Sequence, residues 1–155
     1  MITTKNRIEK PKRATTGSAG YDFFSPDTYV LTPGKWTMID TGVRLTDYDV
    51  AQVSEIVRIN EYAGKGKRYV GDWFMMIVPR SGLSNKVGFR IRNTVGIIDM
   101  DYRGTIKAMV TVDEPYTLQK NERFLQGIII PFGTFSDEIE PTEIRKGGHG
   151  STGRF

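Results

Sequence analysis

Cysteine is absent from the sequence, and histidine occurs once, at His149. The first absence excludes disulfides, thiolate nucleophiles and cysteine metal sites. The second excludes a multi-histidine zinc site within one chain. No apolar run reaches about 18 residues and no signal peptide is recognisable, so neither a membrane span nor secretion is expected. The expected location is a cytoplasm, the host's if the source is viral. Helical periodicity is scarce, and internal repeats and low-complexity tracts are missing. Hydrophobic residues make up 38% of the chain, somewhat below the usual share. That argues against an unusually large self-contained core and permits one completed by partner subunits. The net charge of +4 fits either solubility or an anionic ligand. No nucleic-acid recognition motif accompanies the charges, so direct nucleic-acid binding is not expected.

What the chain does contain is short apolar or alternating runs: TYVLTPGKWTMIDTGVRL, WFMMIVP, FRIRNTVGII, TIKAMVTV and RFLQGIIIPF. They are rich in Val, Ile, Thr and aromatics, as strands are. Turn residues separate them, among them Thr32-Pro33-Gly34, Arg103-Gly104 and Lys120-Asn121. The 155 residues suit one domain. Many short strands with Gly/Pro turns predict an all-β sandwich, jelly roll or barrel. Ser81 to Lys86 has room for one short helical turn after a strand. Residues 46–72 are polar and charged and read as an insertion, its latter part, AGKGKRYVGD, as a surface hairpin or excursion. The division expected is a β-rich body over residues 1–138 and a tail over 139–155.

Several stretches carry side chains suited to chemistry. VPRSGLSNK delivers Arg80, Ser81 and Gly82 at a strand end. Arg80 offers a planar fork of donors for phosphate oxygens, Ser81 a hydroxyl, and Gly82 close backbone approach. The same residues also suit an ordinary strand-to-turn junction with a capping serine. In GIIDMDYRG, Asp99 and Asp101 at i and i+2 face one side of an extended strand. One suits a base and the other its orienter, or both are acids at a turn. Tyr102 brings a ring able to pack on a sugar. Asn93 offers a donor and an acceptor to the edge of a base, or belongs to a turn. In the tail, Gly147, Gly148, Gly150 and Gly153 free the backbone, and Ser151 and Thr152 carry hydroxyls. Arg145, Lys146 and Arg154 carry charge there, and His149 a flat ring. Either this segment wraps a ligand or it is a soluble Gly-rich end.

Taken together, five stretches in order resemble the motifs of the trimeric dUTPases: AGYDFF, PRSGLSNK, NTVGIIDMDYRG, NERFLQGII and GGHGSTG. The resemblance spans nearly the whole chain. It implies a β-rich jelly roll (β-clip-like) with a flexible C-terminal tail, in a homotrimer with three shared active sites. It also implies hydrolysis of dUTP to dUMP and pyrophosphate with magnesium on the triphosphate, which limits uracil in DNA and supplies dUMP. By resemblance, Asp99 activates the attacking water and Tyr102 lies under the deoxyribose. Asn93 reads uracil, aided by backbone at Ile97 and Ile98, and the main chain of Lys107 faces the nucleotide. Arg80, Ser81, Gly82 and Gln126 meet phosphates. Asp22 holds magnesium through water. In the tail, His149 stands where the family has a stacking phenylalanine, beside Gly150, and Ser151 and Thr152 lie near the γ-phosphate.

The tail departs from the family at its start. Arg145 lies four residues before His149 where the family's arginine lies five before, so Arg145 or Lys146 takes the phosphate role. Asn121 replaces the usual glycine opening the fourth motif, in a turn where Asn tolerates left-handed dihedrals. The family gives residues 46–72 no role, which leaves them open as a protein-partner site. Two competing functions share the resemblance: a dCTP deaminase-like enzyme and a non-catalytic, nucleotide-dependent protein-binding trimer. DMDYRG and the Gly-rich tail favour the hydrolase over the first. Intact Asp99, Tyr102 and Ser81 favour it over the second.

Overall fold

Alternating burial along the apolar runs builds the sheets. The computed structural model describes residues 2–3, 8–62, 72–134 and 137. Before the first helix lie β1 (Ile2–Thr3), β2 (Tyr21–Phe24), β3 (Tyr29–Leu31), β4 (Thr37–Asp40) and β5 (Val43–Arg44). Then come α1 (Asp47–Tyr62), β6 (Trp73–Pro79), α2 (Ser81–Val87), β7 (Arg90–Ile91) and β8 (Gly96–Asp99). The series ends with β9 (Lys107–Thr111), β10 (Tyr116–Leu118) and β11 (Arg123–Pro131). WFMMIVP is β6, and it buries Trp73, Met75 and Ile77 on one face. β6 pairs antiparallel with β11 on one side and β8 on the other, giving the sheet order β2-β11-β6-β8. A second sheet has the order β4-β9-β7, and β1-β5 and β3-β10 form two-stranded sheets.

This architecture corrects the expectation of an all-β jelly roll. The described residues form a mixed α/β fold with two helices, and the sheets remain open: the larger two end at β2 and β8 and at β4 and β7. Over the first part of 46–72 the chain forms the 16-residue helix α1, while the surface hairpin or excursion expected in the latter part falls at residues 63–72, nearly all outside the described residues. Its N-terminus is a capping box. The Thr46 hydroxyl accepts from the Asp49 N–H at 3.2 Å, and the Asp49 carboxylate accepts from the Thr46 N–H at 2.9 Å. Val50, Val53 and Val57 recur at helical spacing and face the core, with Val57 buried. Their β-branched type masks that period in the sequence. α2 runs two turns where one was expected, burying Leu83 and Val87 and ending on Gly88 in the left-handed region at φ 64°.

The core collects Phe23, Leu31, Ile39, Trp73, Phe89 and Phe124 under the sheets. Phe89 and Phe124 meet edge to face at 6.2 Å. Trp73 is fully buried, and its indole N–H donates to the Ser54 hydroxyl at 3.0 Å, joining α1 to β6. At β10 the Tyr116 hydroxyl donates to Glu122, a bond that pushes the phenol up to about 12 and keeps it protonated. Asn121 takes φ 64°, the left-handed conformation expected of it. No helix among the described residues is long and apolar enough to cross a membrane.

Candidate active site: two clefts and the turn after β8

β6 connects two clefts of opposite character. The first, about 550 Å³, lies between β8 and β9 and is lined by Asn93, Gly96, Ile97, Ile98 and Lys107, with Met38, Ile77 and Met109 as apolar walls. β8 is an edge strand: Gly96 pairs with Ile77 and Ile97 with Met76 on β6, and its other edge pairs with no strand among the described residues. Such an edge presents backbone N–H and C=O groups in a row. Ile97 is 53% exposed, so its side chain does not seal the cleft. Asn93 sits in the turn after β7, with the Thr94 N–H donating to the Ile91 carbonyl at 3.1 Å.

The second cleft, about 290 Å³, lies at the end of β6 and is built of side chains: Asp22, Arg80, Ser81 and Gln126, with Ser18 and Gly20 at its wall. Arg80 takes the N-cap position of α2 with extended dihedrals, and its side chain makes no cap. It turns instead to Asp22, Nε to Oδ1 at 2.9 Å. The other Asp22 oxygen accepts from Arg123 Nη1 at 3.2 Å. Asp22 is only 6% exposed, so a nearly buried carboxylate holds two guanidiniums. Gln126 lies opposite Asp22 in the β11–β2 register. Gly20 has no Cβ because one there would stand 2.6 Å from Gln126 Oε1. Gly82 follows in the exposed first turn of α2.

Asp99 and Tyr102 line neither cleft; they sit in and after the last residue of β8. The Tyr102 N–H donates to the Asp99 carbonyl at 3.0 Å, closing a turn. The Tyr102 hydroxyl donates to the Thr105 carbonyl at 3.0 Å, and Thr105 Oγ1 donates to Asp40 Oδ2 at 3.0 Å. A Cβ on Gly104 would stand 2.4 Å from the Tyr102 hydroxyl, so glycine there is what lets the ring lie down. One chain thus brings together Asn93, Ile97, Ile98 and Lys107, and separately Asp22, Arg80, Ser81 and Gln126. The tail residues Arg145, Lys146, His149, Gly150, Ser151 and Thr152 lie outside the described residues.

A dUTPase family profile matches residues 73–153, just over half of the chain. Deoxyuridine 5'-triphosphate nucleotidohydrolase of Escherichia phage T5 is 36% identical over 157 residues, covering 92% of this chain and 90% of the phage protein. The enzyme of the same name from Bordetella pertussis is 32% identical, covering 99% and 95%. The chain belongs to the dUTPase family. Among solved structures, Streptococcus mutans dUTPase is 27% identical with a TM-score of 0.58, covering 81% of this chain and 88% of that one. A Staphylococcus bacteriophage 80alpha dUTPase mutant with dUpNHpp shares the fold at a TM-score of 0.64 and 20% identity, covering 94% and 96%.

Two arginines that bear on the site escape a reading by motif. Arg123 completes the Asp22 pair from the fourth motif, and Arg103 folds back over the turn after β8. Their partners lie 101 and 56 residues away, and no local signal announces pairs at that separation.

Proposed function

We propose that the chain hydrolyses dUTP to dUMP and pyrophosphate by attack of water on the α-phosphorus. Membership of the dUTPase family carries this reading, and the pairing of a backbone-edged cleft with a guanidinium-lined cleft supports it. Uracil docks against the open edge of β8 at Ile97 and Ile98, with Asn93 and the main chain of Lys107 completing the base and nucleoside contacts. A backbone donor meets O4 and a backbone acceptor meets N3–H. Cytosine inverts both groups and leaves buried polar groups unpaired, which costs heavily. Tyr102 lies under the deoxyribose and leaves no room for a 2′-hydroxyl.

The triphosphate occupies the second cleft, against Arg80, Ser81, Gly82 and Gln126. Asp22 holds Arg80 by its inner nitrogen, which orients the terminal amino groups for phosphate oxygens. Among the described residues, the side chains of the small cleft do not themselves make a direct magnesium site. Both Asp22 oxygens engage arginines, and no group of three or more metal-binding side chains occurs among the described residues. Magnesium would therefore sit mainly on the triphosphate, whose charge it would partly neutralise, with Asp22 meeting it only through water.

Asp99 orients the water and accepts its proton as the oxygen bonds to the α-phosphorus. The α–β bridging bond breaks and its electrons leave with pyrophosphate. Because Asp99 and both clefts do not converge within one chain, the reading includes a homotrimer whose sites are shared between subunits. Exposed apolar side chains at Val30, Trp36, Met38 and Phe132 support such an assembly. The tail, residues 139–155, closes over the nucleotide. His149 stacks on uracil, Gly150 lets the chain pass closely, and Ser151, Thr152 and Arg145 or Lys146 reach the γ-phosphate.

The deciding assay is pyrophosphate release from dUTP with Mg²⁺, alongside ammonia release from dCTP. Pyrophosphate without ammonia is expected. Ammonia would make the protein a deaminase, and neither product would make it a binding trimer. Asp99→Asn should lower kcat by roughly 10³-fold with dUTP binding retained, since a positioned base contributes ~10²–10⁴. Near-normal turnover in that variant would remove Asp99 from the mechanism.

A further inference from the structure

Family resemblance leaves residues 46–72 without a task, yet the structure ties their helix to the catalytic turn. Arg103 follows Tyr102 directly. Its Nη1 donates back to the Met100 carbonyl at 2.6 Å, bracing the turn from Asp99 to Arg103. Its Nε donates to Oδ1 of Asp47, the first residue of α1, at 2.8 Å. One guanidinium thus spends two nitrogens on two partners, and its planar fork fixes the angle between them.

The far end of this contact is firmly held. α1 begins in the Thr46–Asp49 capping box, buries Val57, and accepts the Trp73 indole N–H at Ser54. Trp73 opens β6, and the next residue, Phe74, pairs in register with Asp99. The contacts therefore close a ring: Asp99 to Phe74 and Trp73, to Ser54 on α1, to Asp47, to Arg103, and back along the turn to Asp99. A helix outside the five motifs holds both ends of the catalytic strand-and-turn.

We propose that Asp47 is a positioning residue, which fixes the turn bearing Asp99 and Tyr102 through Arg103. The helix α1 is then a strut for the reaction. This rests on the reading of Asp99 as the base. The pair is exposed, with the Asp47 side chain 93% accessible, so it adds little to global stability and its loss should appear in turnover.

The test uses the full chain with Asp47→Ala, Asp47→Asn and Asp47→Glu. Turnover is read at saturating dUTP and melting temperature separately. Ala and Asn should lower kcat roughly 3–5-fold with KM within about twofold, as expected for an exposed pair whose interaction matters in the transition state. Asp47→Glu should restore most of kcat, because it keeps the charge and an acceptor. Melting temperatures should agree within roughly 2 °C. A kcat within twofold of wild type in Asp47→Ala, or no rescue by Glu, overturns the proposal. Hydrogen exchange of the peptide covering 99–104 gives a readout free of activity: it should quicken in Asp47→Ala while other β-strand peptides stay unchanged. Unchanged exchange there also overturns the proposal. If wild type fails to release pyrophosphate from dUTP, the functional reading falls, and exchange still decides whether Asp47 holds the turn.

Discussion

The two clefts joined by β6 are built in opposite ways. The larger is walled by Met38, Ile77 and Met109 and presents the backbone edge of β8. The smaller presents Arg80, Ser81 and Gln126 around a nearly buried Asp22. Backbone recognition rests on strand pairing and is indifferent to many side chains. Side-chain recognition rests on individual charges and their anchors. Substitutions should therefore cost far more in the small cleft than in the large one, although both are proposed to touch one nucleotide.

Arg80→Ala should break the small cleft most severely. It removes the proposed charge-assisted bonds to the phosphates and leaves the Asp22 carboxylate with Arg123 alone. Charged hydrogen bonds contribute about 2 kcal/mol, so kcat/KM for dUTP should fall roughly 30-fold or more. A loss below threefold would mean that the phosphates lie elsewhere.

Asp22→Asn sharpens the contrast, because charge and geometry act with opposite signs. Removing a carboxylate beside two arginines raises the positive potential, so pyrophosphate should inhibit the variant more tightly than wild type. Arg80 meanwhile loses its charged anchor, and kcat/KM should fall roughly tenfold, about 1.4 kcal/mol. Weaker pyrophosphate binding together with normal turnover would show that Asp22 does not act as the counter-ion that orients Arg80.

The same contrast explains what the sequence made legible. WFMMIVP reads as a buried strand because apolar residues fill it and turn residues bound it, and β6 spans that run. Arg80 and Ser81 could be placed at a strand end because Gly82 follows at once, and both line the small cleft. α1 escaped because Val50, Val53 and Val57 are β-branched and sit among polar neighbours, so local type outweighed period. Thr46-x-x-Asp49, a capping box, was the available signal. β2 and β10, four and three residues long, escaped as strands because Gly20 and Ser25-Pro26 bound the first and Pro115 and Gln119-Lys120-Asn121 the second, leaving no extended apolar run around either. The pairs Asp22–Arg123 and Asp47–Arg103 were illegible because only the folded topology brings them together.

Ile97→Ala tests the large cleft and carries the smallest expected effect. Ile97 is half-exposed on β8, so truncation leaves no enclosed cavity, and stability should change by about 1 kcal/mol or less. Its backbone stays paired with Met76 on β6, which fixes the outer edge proposed to dock the base. If that edge reads uracil, the preference for dUTP over dCTP should move by less than about threefold, since the discriminating groups are main-chain groups and Asn93, not the Ile97 side chain. Measured as a ratio of kcat/KM values, the comparison cancels any general loss of activity. A tenfold or greater collapse of that ratio would mean the Ile97 side chain shapes the base pocket. The division between a cleft of backbone and a cleft of side chains would then fail at its quieter end.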